Sequence, residues 1–184
     1  VPHPDGARRR ADLPLGLAAM PRVDAIVRHP LFCDQLARIA RAEHDRVFCR
    51  HDLAHLMDVA RIMWIGNLEQ GLGLDRELVY ACAFLHDIGR AAQYETGEPH
   101  DVAGVRIAGE ILGTVDDGCA FSAEQREMLL DAVGGHRGPA ARADAAPLAC
   151  LLHAADKASR PCFACPARTE CYWPEETKNL AVRI

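Results

Sequence analysis

A histidine and an aspartate stand side by side at His86 and Asp87, at the end of the apolar run AFLHDIGR, residues 83–90. An ionised carboxylate on a buried face is strongly unfavourable unless a positive charge meets it. A divalent metal ion would meet it. His55 upstream and Asp156 downstream, each inside its own helix-like run, complete a shell of two imidazoles and two carboxylates. Mixed nitrogen and oxygen donors suit Mn, Fe, Co or Ni, while Mg favours more oxygen. Four such ligands leave positions open on an octahedral ion, where a bound water becomes acidic and a phosphoryl oxygen can be polarised. That is the chemistry of phosphoester hydrolysis.

The local contexts are informative. His55 opens HLMDVA, an H-x-x-x-V pattern; His86 and Asp87 stand in LHDIG; Asp156 stands in HAADK. On these motifs residues 31–160 resemble the HD-domain metal-dependent phosphohydrolase superfamily, whose pattern is His … His-Asp … Asp. The resemblance implies that His55, His86, Asp87 and Asp156 are metal ligands. It also implies an enzyme that hydrolyses phosphomonoesters or phosphodiesters; the substrate does not follow from the resemblance, and a small, nucleotide-like one is the expectation. Dinuclear members carry extra ligands where His100 and His136 stand, so one ion, or two bridged by Asp87, are both open. With one ion, His100 and His136 would bind substrate or act as general acids. Asp87, His100, His136 and Lys157 are thus the catalytic candidates. Some HD-fold enzymes that look like this place two irons on the same six ligands and activate oxygen, which makes an oxygenase one alternative. A non-catalytic redox or metal sensor is the other.

His51 lies one turn before His55, and the H-x-x-x-V-A context favours His55 as the ligand. His51 is expected to line the substrate pocket or support a ligand, and His153, three residues before Asp156, to do the same. Arg90 and Lys157 follow the ligand runs and are candidate phosphate clamps, the first as a fork and the second as a point charge. Glu43 and Arg46, spaced i, i+3, are expected to pair with each other.

Eight cysteines are many for a chain with no secretory signal pattern, which favours metal binding or redox chemistry over disulfides. Cys162, Cys165 and Cys171 are spaced C-x2-C-x5-C. A subset of HD-domain proteins looks similar in this tail, and some nucleases hold a [4Fe–4S] cluster with the same spacing. A [4Fe–4S] cluster or zinc is therefore expected, each wanting a fourth ligand. Cys49, in a turn before the His55 helix, is the first choice and Cys150 the second. Cys82 reads as core.

The elements that must position these groups are helical. Apolar residues recur at helical spacing from Pro30, over His51 to Leu68, after Asp75 up to Gly89, over Asp101 to Leu112, from the capping box Ser122/Gln125 to about Val133, and over Leu148 to Ser159. Gly134, Gly135, Gly138 and Pro139 read as a loop around His136. No segment alternates with period two. The expected fold is all-α, a single HD-type domain of about six helices at residues 20–160. Residues 161–184 read as an irregular Cys-rich tail packed on it. Residues 1–19 read as a disordered arm, with Met20 a candidate native start. A chain of 184 residues with 49% hydrophobic and 26% charged residues can bury a core of its own. Net charge −5 gives no basic patch for duplex nucleic acid. No apolar run is long enough to span a bilayer, and a cytoplasmic location is expected. Nothing marks a self-complementary face, so oligomeric state is left open.

Overall fold

The computed structural model describes residues 19–136 and 145–182. These form eight α-helices: α1 (Pro21–Val27), α2 (Pro30–Ala42), α3 (Leu53–Glu69), α4 (Arg76–Leu85), α5 (Arg90–Thr96), α6 (His100–Thr114), α7 (Ala123–Gly135) and α8 (Pro147–Ala158). No strand occurs among the described residues. The expected arm falls almost wholly outside them, as do Gly138 and Pro139.

Local chemistry sets the helix starts. Asp52 and Asp75 accept from the backbone N–H of His55 and Leu78, at 3.0 and 2.9 Å, and so cap α3 and α4. Ser122 and Gln125 close the expected capping box on α7. Proline occupies the first turn of α1, α2 and α8. Asn67 receives Leu74 N–H and donates to Leu74 O, tying the α3–α4 turn in which Gly71 and Gly73 take φ of 62° and 69°.

Helix α4 is the centre of the molecule. Leu78, Val79 and Ala81 to Leu85 are all buried, and α1, α3, α7 and α8 pack around it. A helix apolar nearly all round has no solvent face to offer. Its C-terminal end therefore opens inside the bundle, and there His86 and Asp87 sit, 0% and 2% exposed.

Two helices shorter than sequence periodicity registers, α1 and α5, join the six expected. Two boundaries also move. Helix α3 starts at Leu53, so His51 is not on its face but precedes the Asp52 cap. The aspartate cap is the stronger local signal. Helix α7 continues through Gly134 and Gly135, and His136 is its C-cap residue rather than part of a glycine loop. Two helical glycines cost about 1 kcal/mol each relative to alanine, and Gly134 packs so close that a Cβ would lie 3.0 Å from Val105 Cγ2.

One glycine is indispensable to the site's shape. A Cβ on Gly89 would lie 2.1 Å from His100 O and 2.5 Å from Gly104 N, both rigid backbone. The HD turn touches the start of α6 here, and that contact sets His100 against Asp87. Gly89→Ala is expected to destabilise the fold by about 1–3 kcal/mol. A chemical-denaturation midpoint unchanged from wild type would refute this close approach.

Candidate metal centre

The structure brings two ligand groups together. In the first, ligand atoms of His55, His86, Asp87 and Asp156 all lie within 4.8 Å of one another; in the second, those of Asp87, His100 and His136 do. All six residues are buried. Asp87 belongs to both groups through different oxygens. Its Oδ2 lies 3.1 Å from His86 Nε2 and 3.6 Å from His55 Nε2. Its Oδ1 lies 3.4 Å from His100 Nε2 and 3.7 Å from His136 Nε2. Asp156 Oδ1 closes the first group, 3.5 Å from His55 Nε2 and 4.0 Å from His86 Nε2.

Each imidazole is fixed by its other nitrogen. His86 Nδ1 donates to Ala83 O at 2.7 Å and His136 Nδ1 to Val133 O at 2.6 Å. His100 Nδ1 meets Gln93 Oε1 at 2.5 Å. Ser159 Oγ gives its proton to Asp156 O, so it accepts from His55 Nδ1 at 3.3 Å. A nitrogen that faces an accepting oxygen carries the hydrogen, which leaves the lone pair on Nε2. In their neutral form the four imidazoles present Nε2 lone pairs toward Asp87, the form that binds a metal, whereas a proton on Nε2 turns a ring into a donor to that carboxylate. Two consequences follow. His86 Nε2 and Asp87 Oδ2 are buried without a hydrogen-bond partner, which is costly in a core that offers no cation. His100 Nε2 and His136 Nε2 face each other at 3.0 Å, a repulsive contact unless a proton or a metal ion lies between them. The donor set fits a divalent ion at the first group and admits a second at the other.

Three positive side chains meet these carboxylates in this structure, and Arg160 is the most buried of them. Its guanidinium donates to Asp156 Oδ1 at 2.8 Å and lies 3.4 Å from His55 Nε2. Arg160 is 6% exposed. Burial would raise the Asp156 carboxyl, but Arg160, with His86 and Lys157, holds it well below the usual carboxylate range. Asp87 follows the same pattern: burial pushes it up, and the surrounding histidines bring it well down. Burial keeps His51 and His55 below the ordinary histidine value, hence neutral and able to donate a lone pair at pH 7. His86 goes the other way, because Asp87 and Asp156 outweigh its burial.

His51 is held by a buried acid. Glu43 accepts from the His51 backbone N–H at 2.7 Å, from His51 Nδ1 at 2.5 Å and from Tyr94 Oη at 2.5 Å. This turns His51 Nε2 toward Asp87 Oδ2, 3.9 Å away. The expected Glu43–Arg46 pair is subordinate: Arg46 Nε is 3.9 Å from Glu43 and donates instead to Cys49 O at 2.8 Å. Burial alone would raise Glu43, but the bonds from His51 and Tyr94 prevail and hold its pKa at about 2, below the ordinary 4.5. A carboxyl depressed on folding contributes stability that is complete above the unfolded value and is lost as pH falls through the folded one. Glu43→Gln is expected to cost about 2–3 kcal/mol at pH 7, and to lose less stability than wild type as pH falls from 4.5 to 2. Denaturant midpoints across that range measure it.

Arg90 and Lys157 stand on the ligand carboxylates. Arg90 Nε donates to Asp87 Oδ1 at 2.8 Å, and Lys157 Nζ to Asp156 Oδ2 at 3.0 Å. Both line a cavity of about 100 Å³ with Arg46, His51, Asp156 and Arg160, walled by Phe48, Tyr172 and Trp173. Among the described residues His153 meets the His136 carbonyl, at 3.3 Å, rather than a candidate ligand atom. Arg160, Glu43, Gln93 and Ser159 were not expected from the sequence. Arg160 stands i+4 from Asp156, a helical spacing that could have marked it. Glu43, eight residues before His51, and Gln93, seven before His100, have no such spacing.

The family profile of the HD domain matches residues 51–160, the stretch that holds all six candidate ligands. The chain belongs to the HD domain family. An uncharacterised protein of Clostridium beijerinckii is 37% identical over 163 residues, 89% of this chain and 99% of that one. Ribonuclease Y of Clostridium botulinum is 26% identical over 60% of this HD protein, and ribonuclease Y of Thermobifida fusca 29% over 62%. These matches take in 19% and 24% of the two ribonucleases. No solved structure matches this chain. An HD domain places the protein in a metal-dependent phosphohydrolase superfamily, and its buried His/Asp groups suit that chemistry. No helix among the described residues is long and apolar enough to cross a membrane.

Proposed function

We propose that this HD domain hydrolyses phosphomonoesters or phosphodiesters of small, nucleotide-like substrates. The observation that carries the reading is the pair of ligand groups meeting on the two oxygens of Asp87, beside a cavity lined by Arg46, Arg90, Lys157 and Arg160. An ion of Mn, Fe, Co, Ni or Mg held by His55, His86, Asp87 and Asp156 would acidify a water and polarise the phosphoryl oxygen. The protein's own groups supply the rest. Arg90 forks toward a phosphate oxygen while keeping Asp87 in place, and Lys157 adds a point charge. His100 and His136 either hold a second ion or share a proton across their 3.0 Å contact and pass it to the leaving oxygen. Phe48, Tyr172 and Trp173 offer faces on which a nucleobase can stack. The ribonuclease relatives, by their name, act on a nucleotide polymer, which favours the nucleotide-like reading.

The test is a panel of nitrophenyl phosphates, nucleotides and short oligonucleotides against protein loaded with each ion. Ion-dependent release of phosphate or nucleotide is expected. Arg90→Ala and Lys157→Ala should each raise KM by about tenfold, the loss of one charge-assisted hydrogen bond. The six-ligand set also suits two irons. Oxygen consumption with no phosphoester turnover would replace hydrolysis with oxygenation, and tight ion binding with neither would leave a sensor.

A further inference from the structure

The tail beyond α8 is short of core. From Pro161 to Val182 only Cys162, Ala167, Lys178 and Asn179 are buried. Its order comes from polar ties: Asn179 Nδ2 donates to Lys157 O at 2.6 Å and Arg160 O at 3.0 Å, and Lys178 Nζ to Arg168 O at 3.1 Å. A segment that buries so little apolar surface is the kind a metal staples.

Three of its cysteines meet a fourth from the loop before α3. Cys49 lines two adjoining cavities, one of about 310 Å³ shared with Cys165 and one of about 100 Å³ shared with Cys162 and Cys171. It is common to both linings, so the four cysteines border one pair of cavities that also share Phe48 and Arg160. A 3-10 turn at Cys162–Ala164 joins the buried Cys162 to the half-buried Cys165, whose N–H donates to Cys162 O at 3.2 Å. Cys150, by contrast, is anchored in the first turns of α8, where its thiol meets Ala145 O at 3.6 Å. All eight cysteines are free thiols rather than disulfides. Four thiolates concentrate negative charge, and Arg46, Arg90, Lys157 and Arg160 line the smaller cavity to meet it.

We propose that Cys49, Cys162, Cys165 and Cys171 hold a thiolate-bound metal centre, in the form of a [4Fe–4S] cluster. The lack of a tight sulfur group weighs against zinc. Four sulfurs on one tetrahedral zinc lie about 3.8 Å apart, whereas among the described residues no three cysteine sulfurs lie within 4.8 Å of one another. A cluster binds each thiolate at a separate iron and takes the wider spread. The centre fixes the tail that carries Tyr172 and Trp173 and stands beside Arg160, which lines both cavities and bonds Asp156. It shares the smaller cavity and its cations with the proposed substrate site, so its test reads metal and sulfide rather than turnover.

The full chain is purified anaerobically as wild type, Cys49→Ser, Cys165→Ser, Asp87→Ala and, as a control at an exposed thiol, Cys33→Ser. Iron, acid-labile sulfide and zinc are measured per chain, with visible absorption before and after reconstitution with iron and sulfide. About four iron and four sulfide in wild type, Cys33→Ser and Asp87→Ala, and loss of both in Cys49→Ser and Cys165→Ser, is the expected result. One zinc without sulfide, lost in the same two variants, keeps the four-thiolate site and overturns the cluster. Metal and sulfide that ignore both variants, or their absence from reconstituted wild type, overturn the site. Should the serine variants fail to fold, alkylation of wild type decides. Cys49, Cys162, Cys165 and Cys171 should resist iodoacetamide until chelator is added, and Cys33 should react throughout; equal reactivity with and without chelator sinks the proposal.

Discussion

Asp87→Ala is expected to abolish divalent-ion binding at both ligand groups and to lower phosphoester hydrolysis by at least about a thousandfold. The size follows from what an ion contributes to charge stabilisation in the transition state, several kcal/mol, where each 1.36 kcal/mol is about tenfold. The breadth of the effect follows from geometry. Asp87 is the residue common to both groups, one oxygen toward His86 and His55, the other toward His100 and His136. His100→Ala touches only the second group and should leave ion binding at the first. Metal content per chain and kcat, measured on the same preparations of the two variants, make the comparison. Equal metal loss in both, or full activity in Asp87→Ala, would overturn the bridging role.

Arg160→Met is expected to destabilise the metal-free protein by about 3–5 kcal/mol, the usual cost of stripping one partner from a buried ion pair. Arg160 and Asp156 side chains are 7% and 8% exposed and meet at 2.8 Å. Without the guanidinium, Asp156 keeps His86 and the half-exposed Lys157 and faces Asp87 across the same group. A divalent ion brings charge to the same two carboxylates, so saturating metal should return most of the loss. An ion at a thousand times its Kd stabilises by about 4 kcal/mol, enough to do so. Urea denaturation with chelator and with Mn measures both terms. A deficit of the same size under both conditions would assign Arg160 to packing rather than to charge.

How far the site could be read in advance differs residue by residue. His55, His86, Asp87 and Asp156 are carried by short motifs, because a ligand on a helix end needs particular neighbours within one turn. Glu43 and Gln93 could not be found that way. Each meets its histidine through the approach of separate segments, and their sequence offsets match no local period. His51 was placed on the wrong element, since a helical wheel extended past Asp52 ignores the cap that ends it.

The sequence by itself determined the helical class, most helix starts, and which residues could bind a metal. Those are short-range properties, set by apolar periodicity, caps and the donor atoms each side chain owns. Only the tertiary structure decided that Asp87 faces two groups, that every ligand imidazole is held through Nδ1, and that Arg160 meets the buried acids. It also decided that Cys49, more than a hundred residues before Cys162, shares cavities with the tail thiols. These depend on how α3, α4, α6 and α8 converge around a helix with no solvent face, and that convergence is a product of packing across the whole core.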